Sequence, residues 1–304
     1  GATGWIGSNI LRELQNFFHP DEFKQNIIAF GSRERIINLY FSESKKTIKF
    51  PVFSLNNIEK LISKNDRLLI IHTAFLLKNK LSFLNIKDYI RENEEIITLI
   101  SKVIKKADST RMVLFSSGAA AKQSIDPLKN NIFKDPYSFL KNKEEKIYRE
   151  LTKELLILRV YAITGKFMRD PNDYAFGNFI LQAIQKNQIT IKSDYPIIRG
   201  YAYAGDISYL AVNWLFSNNN QINYPINCVS EEISLESLAE LITDILNLKE
   251  LNKNINYLKE KDIYSASSEN FLDLMTVLGG QVLNLRNQIL YSYDYLKNNE
   301  ELYS

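Results

Sequence analysis

The chain is 304 residues long, with 38 Lys+Arg against 35 Asp+Glu and 45% hydrophobic residues. That is enough for one large or two modest domains with a buried core, and a net charge of +3 offers no broad basic face for nucleic acid. One cysteine excludes a disulfide framework, and two histidines, His19 and His72, leave little for a metal site, so no metal is expected. The longest apolar runs, such as Leu68 to Leu77, fall short of the ~20 residues of a membrane span. Composition therefore describes a soluble, cytoplasmic globular protein with neither a membrane nor a nucleic-acid partner.

In chain order, Gly1-Ala2-Thr3-Gly4-Trp5-Ile6-Gly7 runs directly into an amphipathic stretch, Ser8 to Phe18, with helical spacing. A glycine turn that opens a helix normally follows a buried strand, so about ten further residues upstream are expected to supply one. Strand-like runs then fall at Asn26 to Phe30, Thr47 to Phe53, Arg67 to His72, Arg111 to Phe115 and Leu155 to Val160. Helical stretches lie among them at Asn57 to Ser63, Ile86 to Ala107 and Tyr137 to Thr152. Such alternation predicts an α/β fold with a parallel sheet covered on both faces. Past Gly165 the regularity ends. Helices are expected at Tyr174 to Lys186, Gly205 to Ser217, Leu235 to Leu246 and Glu269 to Leu278. Short strands are expected at Ile189 to Ile191, Ile197 to Tyr203 and Asn223 to Val229. The Asn218-Asn219-Asn220 run and the Lys/Asn-rich stretch from Lys249 to Lys261 read as solvated loops.

Three glycines spaced as Gly1, Gly4 and Gly7 have separate uses: a tight turn, close approach of a pyrophosphate, and close helix–strand packing. The helix that follows aims its N-terminal amides and positive dipole end at the phosphates. The second strand ends in Gly31-Ser32-Arg33, where an NAD site usually places an acidic residue for the ribose 2′-hydroxyl. A hydroxyl and a guanidinium there suit a 2′-phosphate instead, which points to NADP(H) bound through Ser32 and Arg33.

Tyr137 and Lys141 stand one helical turn apart on one face. A phenol with pKa near 10 is a poor acid or base at neutral pH, and a neighbouring ammonium is expected to stabilise its phenolate. About twenty residues upstream the strand Arg111 to Phe115 ends in Ser116-Ser117-Gly118. That puts hydroxyls at a strand's C-terminal end, where open α/β sheets bind their ligands.

With these residues in place, almost the whole sequence resembles the extended short-chain dehydrogenase/reductases, the NAD(P)-dependent epimerase/dehydratase group that modifies nucleotide sugars. Gly1 to Gly7 matches the group's GATGxIG loop, with Trp5 and Ile6 inside it. Ile70-Ile71-His72-Thr73-Ala74 resembles the fourth-strand VIHLAA segment beside the cofactor, and Asn93 sits where the N-V-x-G-T helix has its asparagine. Ser117 matches the catalytic Ser/Thr, and Tyr137 with Lys141 matches YxxxK. Leu158-Arg159-Val160-Tyr161 through Gly165 resembles the sixth-strand segment. Ile198 to Asp206 resembles R-(S/D)-x-x-Y-x-x-D, and Asn227-Cys228-Val229-Ser230 the later YNVGS strand.

The resemblance implies a Rossmann-type doubly wound sheet over 1–165 and a smaller α/β substrate domain over 166–304, with 205–229 returning to the first. A nucleotide-diphosphate sugar would lie in the cleft between them. It implies Tyr137 as general acid/base, Ser117 on the reacting sugar oxygen, and Lys141 on the nicotinamide ribose. Arg199 would pair with a phosphate and Asn178 would contact the sugar nucleotide. His72 reads as a packed strand-end residue beside the cofactor. A homodimer through the helices Ile86–Ala107 and Tyr137–Thr152 is implied as well.

Dehydratases of the group carry Asp-Glu directly after the catalytic Ser/Thr, but here those positions are Gly118 and Ala119, which cannot move protons. The Cys/His pair of the epimerase-reductases has no counterpart, since Cys228 lies on a late strand. Two catalytic readings remain: a 4-ketoreductase using NADPH, favoured by Ser32 and Arg33, and a 4-epimerase retaining NAD. A third reading, a non-catalytic NADP-binding sensor or scaffold, is suggested by departures such as Ser54, Val160 and Ala121-Lys122.

Overall fold

The computed structural model describes residues 1–63, 66–122, 131–218, 222–253 and 260–299. Its chain divides into two units, Gly1–Arg159 with Ala211–Ile226, and Val160–Leu210 with Asn227–Ser304.

The first unit is built on strands whose sequences are apolar almost throughout, as parallel strands covered on both faces must be. The strands Ile226–Cys228, Glu154–Val160, Ser109–Ser117 and Arg67–His72 form a parallel sheet in that order. In it Arg67 pairs with Ser109 and His72 with Leu114, so the ends of the last two strands lie side by side. A second sheet has Lys46–Ser54 at its centre, parallel to Ala29–Gly31 and antiparallel to Arg35–Phe41. The hairpin strand Arg35–Phe41 is absent from the sequence-based expectation. Its outward side chains Ile36 and Tyr40 are exposed, which blurs the alternation that marks a half-buried strand.

Two long helices stand against the parallel sheet. Ile86–Lys106 begins at Asn85, whose side chain accepts from the Asp88 amide at 2.9 Å. Pro136–Leu151 begins at Asp135, which accepts from the Ser138 amide and hydroxyl, with Pro136 pre-set for the first turn. The two helices pack against each other. Ile97, Ile100, Val103 and Ile104 of the first meet Met112, Leu114, Tyr148 and Ile157 in one buried cluster. Full burial of such side chains contributes on the order of 1.5–3 kcal/mol each.

In the second unit the helices Ala175–Lys186, Leu235–Leu246 and Leu285–Lys297 pack together. The strand Ile197–Tyr203 is flanked by Glu231–Ser234 and Asp262–Tyr264, and pairs in parallel with Ala162–Thr164. The stretch expected to be a solvated loop from Lys249 instead forms a strand, Glu250–Lys253, parallel to Gln188–Ile191. Backbone pairing holds it despite its polar side chains. Residues 254–259 of that stretch, and Asn219 and Asn220 of the asparagine run, lie outside the described residues. The helix Ala204–Phe216 carries the chain from the second unit back to the first.

Candidate active site

The glycine turn leads into the helix Trp5–Leu14, with Gly4 at its N-cap. It is held by the Ala2 amide donating to Phe30 O and the Gly4 amide to Gly1 O, at 2.9 and 3.0 Å. A Cβ on Gly7 would stand 2.2 Å from the Gly1 carbonyl oxygen, and one on Gly1 only 2.3 Å from Thr73 Oγ1. The loop thus lies against the chain just beyond His72, where any side chain would fill the space. No acidic residue sits in the first turn of the helix, so no carboxylate of that turn competes with an anion for its amides and dipole. A glycine cradle of this kind fits the pyrophosphate of a dinucleotide. Gly31 is buried at its strand end, while Ser32 and Arg33 are exposed. Glu34 accepts a hydrogen bond from Asn57 at 2.8 Å.

At the far end of Ser109–Ser117, Ser116 and Ser117 are both buried. The Tyr137 phenol, in the first turn of Pro136–Leu151, hydrogen-bonds the Ser117 hydroxyl, and that hydroxyl also accepts from the Ala119 amide at 3.2 Å. Ser117, Tyr137 and Lys141 are therefore gathered at one place in the first unit. Their electrostatics differ from expectation. Burial pushes the Tyr137 phenol above its ordinary value, the Ser117 hydrogen bond pulls it back, and the charges of Glu144 and Asp135 push it up again. The expected lowering by Lys141 is not what this arrangement produces.

The reason is where the ammonium sits. Lys141 Nζ donates to the Phe115 carbonyl and to Glu144 Oε2, both at 2.9 Å. It also lies 3.8 Å from the centroid of the Phe75 ring, whose edge meets Tyr137. Glu144 is fully buried, and its other oxygen is 3.0 Å from His72 Nε2. Burial would raise the Glu144 carboxyl, but the Lys141 charge and the His72 hydrogen bond outweigh it and hold it below the usual carboxylate range. Burial wins at His72 and lowers it, against Glu144. The imidazole is neutral and the carboxylate ionised at neutral pH.

Around this core Asn93 is fully buried, accepting from the Leu76 amide at 2.8 Å and donating to Tyr89 O at 3.2 Å. It braces the segment that follows Ala74. Glu145 accepts from Arg159 through both oxygens, at 2.9 and 2.7 Å, and from Ser116 at 2.6 Å. Phe75, Glu144 and Glu145 escape motif reading. A signal did exist for Glu144: with Tyr137 and Lys141 it falls at i, i+4, i+7 on one helix face.

In the second unit Arg199 reaches Asp262 through Nη2 at 2.6 Å, and Nη1 donates to the carbonyls of Ile198 and Asp262. A phosphate at Arg199 would compete with that carboxylate. Asn178 donates to Asn172 at 3.0 Å and accepts from Gln182 at 2.6 Å. Among the described residues no His/Cys/Asp/Glu group could hold a metal ion, and no helix is long and apolar enough to cross a membrane.

A glycine-cradled helix start beside a parallel sheet, with serine, tyrosine and lysine gathered at the strand ends, defines an enzyme of the short-chain dehydrogenase/reductase type, with a Rossmann-type fold. The family model described as the NAD dependent epimerase/dehydratase family matches residues 1–226. The chain belongs to that family. No curated protein matches it. Among solved structures it is similar to a mutant of the UDP-glucuronic acid 4-epimerase of Bacillus cereus, complexed with UDP-4-deoxy-4-fluoro-glucuronic acid and NAD. That likeness has a TM-score of 0.70 at 19% identity, over 98% of each chain. The UDP-glucose 4-epimerase of Thermotoga maritima, with UDP-glucose, gives 0.68 at 14% over 99% of this chain and 98% of its own. The NAD-dependent NDP-hexosamine 5,6-dehydratase TunA, involved in tunicamycin biosynthesis, gives 0.66 at 15% over 98% and 96%.

Proposed function

We propose that this chain oxidises and reduces C4 of a nucleotide-diphosphate sugar with a nicotinamide cofactor, and that it runs this chemistry as an NAD-dependent 4-epimerase. The observation that carries the reading is the Tyr137–Ser117 hydrogen bond at the strand end. It aims one proton-transfer group and one hydroxyl at the same point in the first unit, which also holds the glycine cradle. Tyr137, once ionised, takes the proton of the sugar 4-hydroxyl and later returns it, and Ser117 orients that oxygen. Lys141 anchors a ribose hydroxyl. Gly1, Gly4 and Gly7, with the amides of Trp5, Ile6 and Gly7, hold the pyrophosphate. A bound nicotinamide would supply the hydride acceptor and donor. Gly118 and Ala119, which cannot titrate, argue against dehydration.

NAD is preferred to NADP because the B. cereus 4-epimerase is complexed with NAD. Arg33, beside Ser32, supports a second reading, a 4-ketoreductase with exchangeable NADPH. Identifying the nicotinamide released on denaturing the purified protein, and titrating NADH against NADPH, separates the two. Retained NAD, with conversion of UDP-glucose or UDP-glucuronic acid to the C4 epimer by NMR, is the expected result. A tenfold preference for NADPH, about 1.4 kcal/mol, selects the ketoreductase instead. Tyr137→Phe should abolish turnover and spare cofactor binding; undiminished turnover overturns both readings.

A further inference from the structure

Glu144 is a charged side chain with no exposure, and the proton transfer described above makes no use of it. Both its oxygens are engaged, one by Lys141 and the other by His72, which lies 72 residues away on another element. Lys141 has three N–H donors. One meets the Phe115 carbonyl and one Glu144, while the ring of Phe75 covers the ammonium. A cation so enclosed by a carboxylate presents little net charge to its surroundings. Yet Tyr137 lies one turn away on the same helix and needs positive charge nearby to ionise.

We infer that Glu144 is a positioning residue which, fixed by His72, neutralises the Lys141 ammonium and so keeps the Tyr137 phenol protonated. The inference rests on the reading of Tyr137 as the proton-transfer group. The groups that face Tyr137 or its partners bear this out. Its own helix supplies Lys141 and Glu144, with Asp135 at its cap. Beyond that helix lie the uncharged Ser117 hydroxyl, the Phe75 ring and the Tyr89 phenol of Ile86–Lys106. Among the described residues of this set Lys141 is the one cation, and Glu144 is bonded to it. The carboxylates then outnumber the cation, and the phenol is held in its acid form. A sugar hydroxyl or ribose oxygen that draws Lys141 from Glu144 would expose the ammonium and release the phenolate. Ligand binding and activation of the base would thereby be one event.

Ultraviolet difference titration of the wild-type protein against Tyr137→Phe isolates this single phenol. The same subtraction is then made in Glu144→Gln, an isostere whose amide oxygen accepts from Lys141 and whose NH2 donates to the Nε2 of the other His72 tautomer. The midpoint should move to lower pH in Glu144→Gln and to higher pH in Lys141→Met. The uncharged pair Lys141→Met with Glu144→Gln should return it close to wild type, because both charges leave together. That double variant leaves no buried charge unbalanced, so it folds even if a single variant does not. An unmoved or raised midpoint in Glu144→Gln overturns the inference, as does a double variant displaced as far as Lys141→Met. The titration needs no turnover. Absence of activity towards nucleotide sugars would overturn the proposed function and leave this result to stand or fall by itself.

Discussion

At the scale of single residues, Gly7 is the position with the least room. A Cβ there would meet the Gly1 carbonyl at 2.2 Å, against 3.2 Å for one on Gly4. The first must displace backbone, while the second asks for a few tenths of an ångström. Gly7→Ala should therefore weaken NADH binding more than tenfold, over about 1.4 kcal/mol, and Gly4→Ala should cost less. Fluorescence titration of both variants checks this, and equal affinities would remove the glycine loop from the cofactor site. The sequence exposes this loop, and Ser117, Tyr137 and Lys141, because each lies in a short motif whose spacing is itself the signal. It hides the role of Glu144, because His72 and Phe75 reach that carboxylate and its lysine only through the pairing of Arg67–His72 with Ser109–Ser117. Tyr137 teaches the complementary lesson. The i,i+4 spacing puts the lysine one helical turn from the phenol, but a carboxylate one turn further on is bonded to that ammonium.

At the scale of elements, Glu145 and Arg159 tie the helix Pro136–Leu151 to the strand Glu154–Val160 through two charge-assisted bonds. Both groups are largely buried, with side-chain exposures of 6% and 16%. Removing Arg159 takes both charge-assisted bonds from the buried Glu145 carboxylate and leaves it the Ser116 hydroxyl. Arg159→Met should lower unfolding free energy by about 3 kcal/mol, while Glu145→Gln with Arg159→Met should recover most of that loss. Urea unfolding followed by circular dichroism measures it, and a single-variant loss under about 1 kcal/mol would mean that water screens the pair. Elements of this kind are legible where burial follows a period, as in Ile86–Lys106 and Arg67–His72. They are not legible where polar groups take buried seats. In Leu285–Lys297 the inward positions include Gln288 and Ser292. Gln288 accepts from Thr164 at 2.7 Å, and the Ser292 hydroxyl accepts from the Gly165 amide at 2.9 Å. A helix that buries hydrogen bonds breaks the apolar stripe that would have revealed it.

At the scale of the molecule, the chain crosses between its two units at three places, near residues 159, 210 and 226. Neither unit is a continuous piece of sequence, so contacts far apart in the chain decide the stability of each. Asp206 of the second unit is such a contact, accepting from the Leu283 amide at 2.7 Å. Burial lifts its carboxyl from 3.8 to about 6, against the pull of that hydrogen bond. The sign follows from linkage: a carboxyl raised on folding stays protonated in the native state while the unfolded chain has already ionised. Its favourable contribution is fully present below about pH 4 and is lost as pH rises to about 6. Over that window the native state forfeits up to about 3 kcal/mol relative to a neutral side chain, taking ~1.4 kcal/mol per pH unit. Asp206→Asn keeps an oxygen for the Leu283 amide and removes the charge. Near pH 7 this variant should unfold at higher urea than the wild type, and the gap should close as the pH falls to 4. A gap that stays constant with pH would show that the carboxyl ionises as easily in the folded protein as in the unfolded chain.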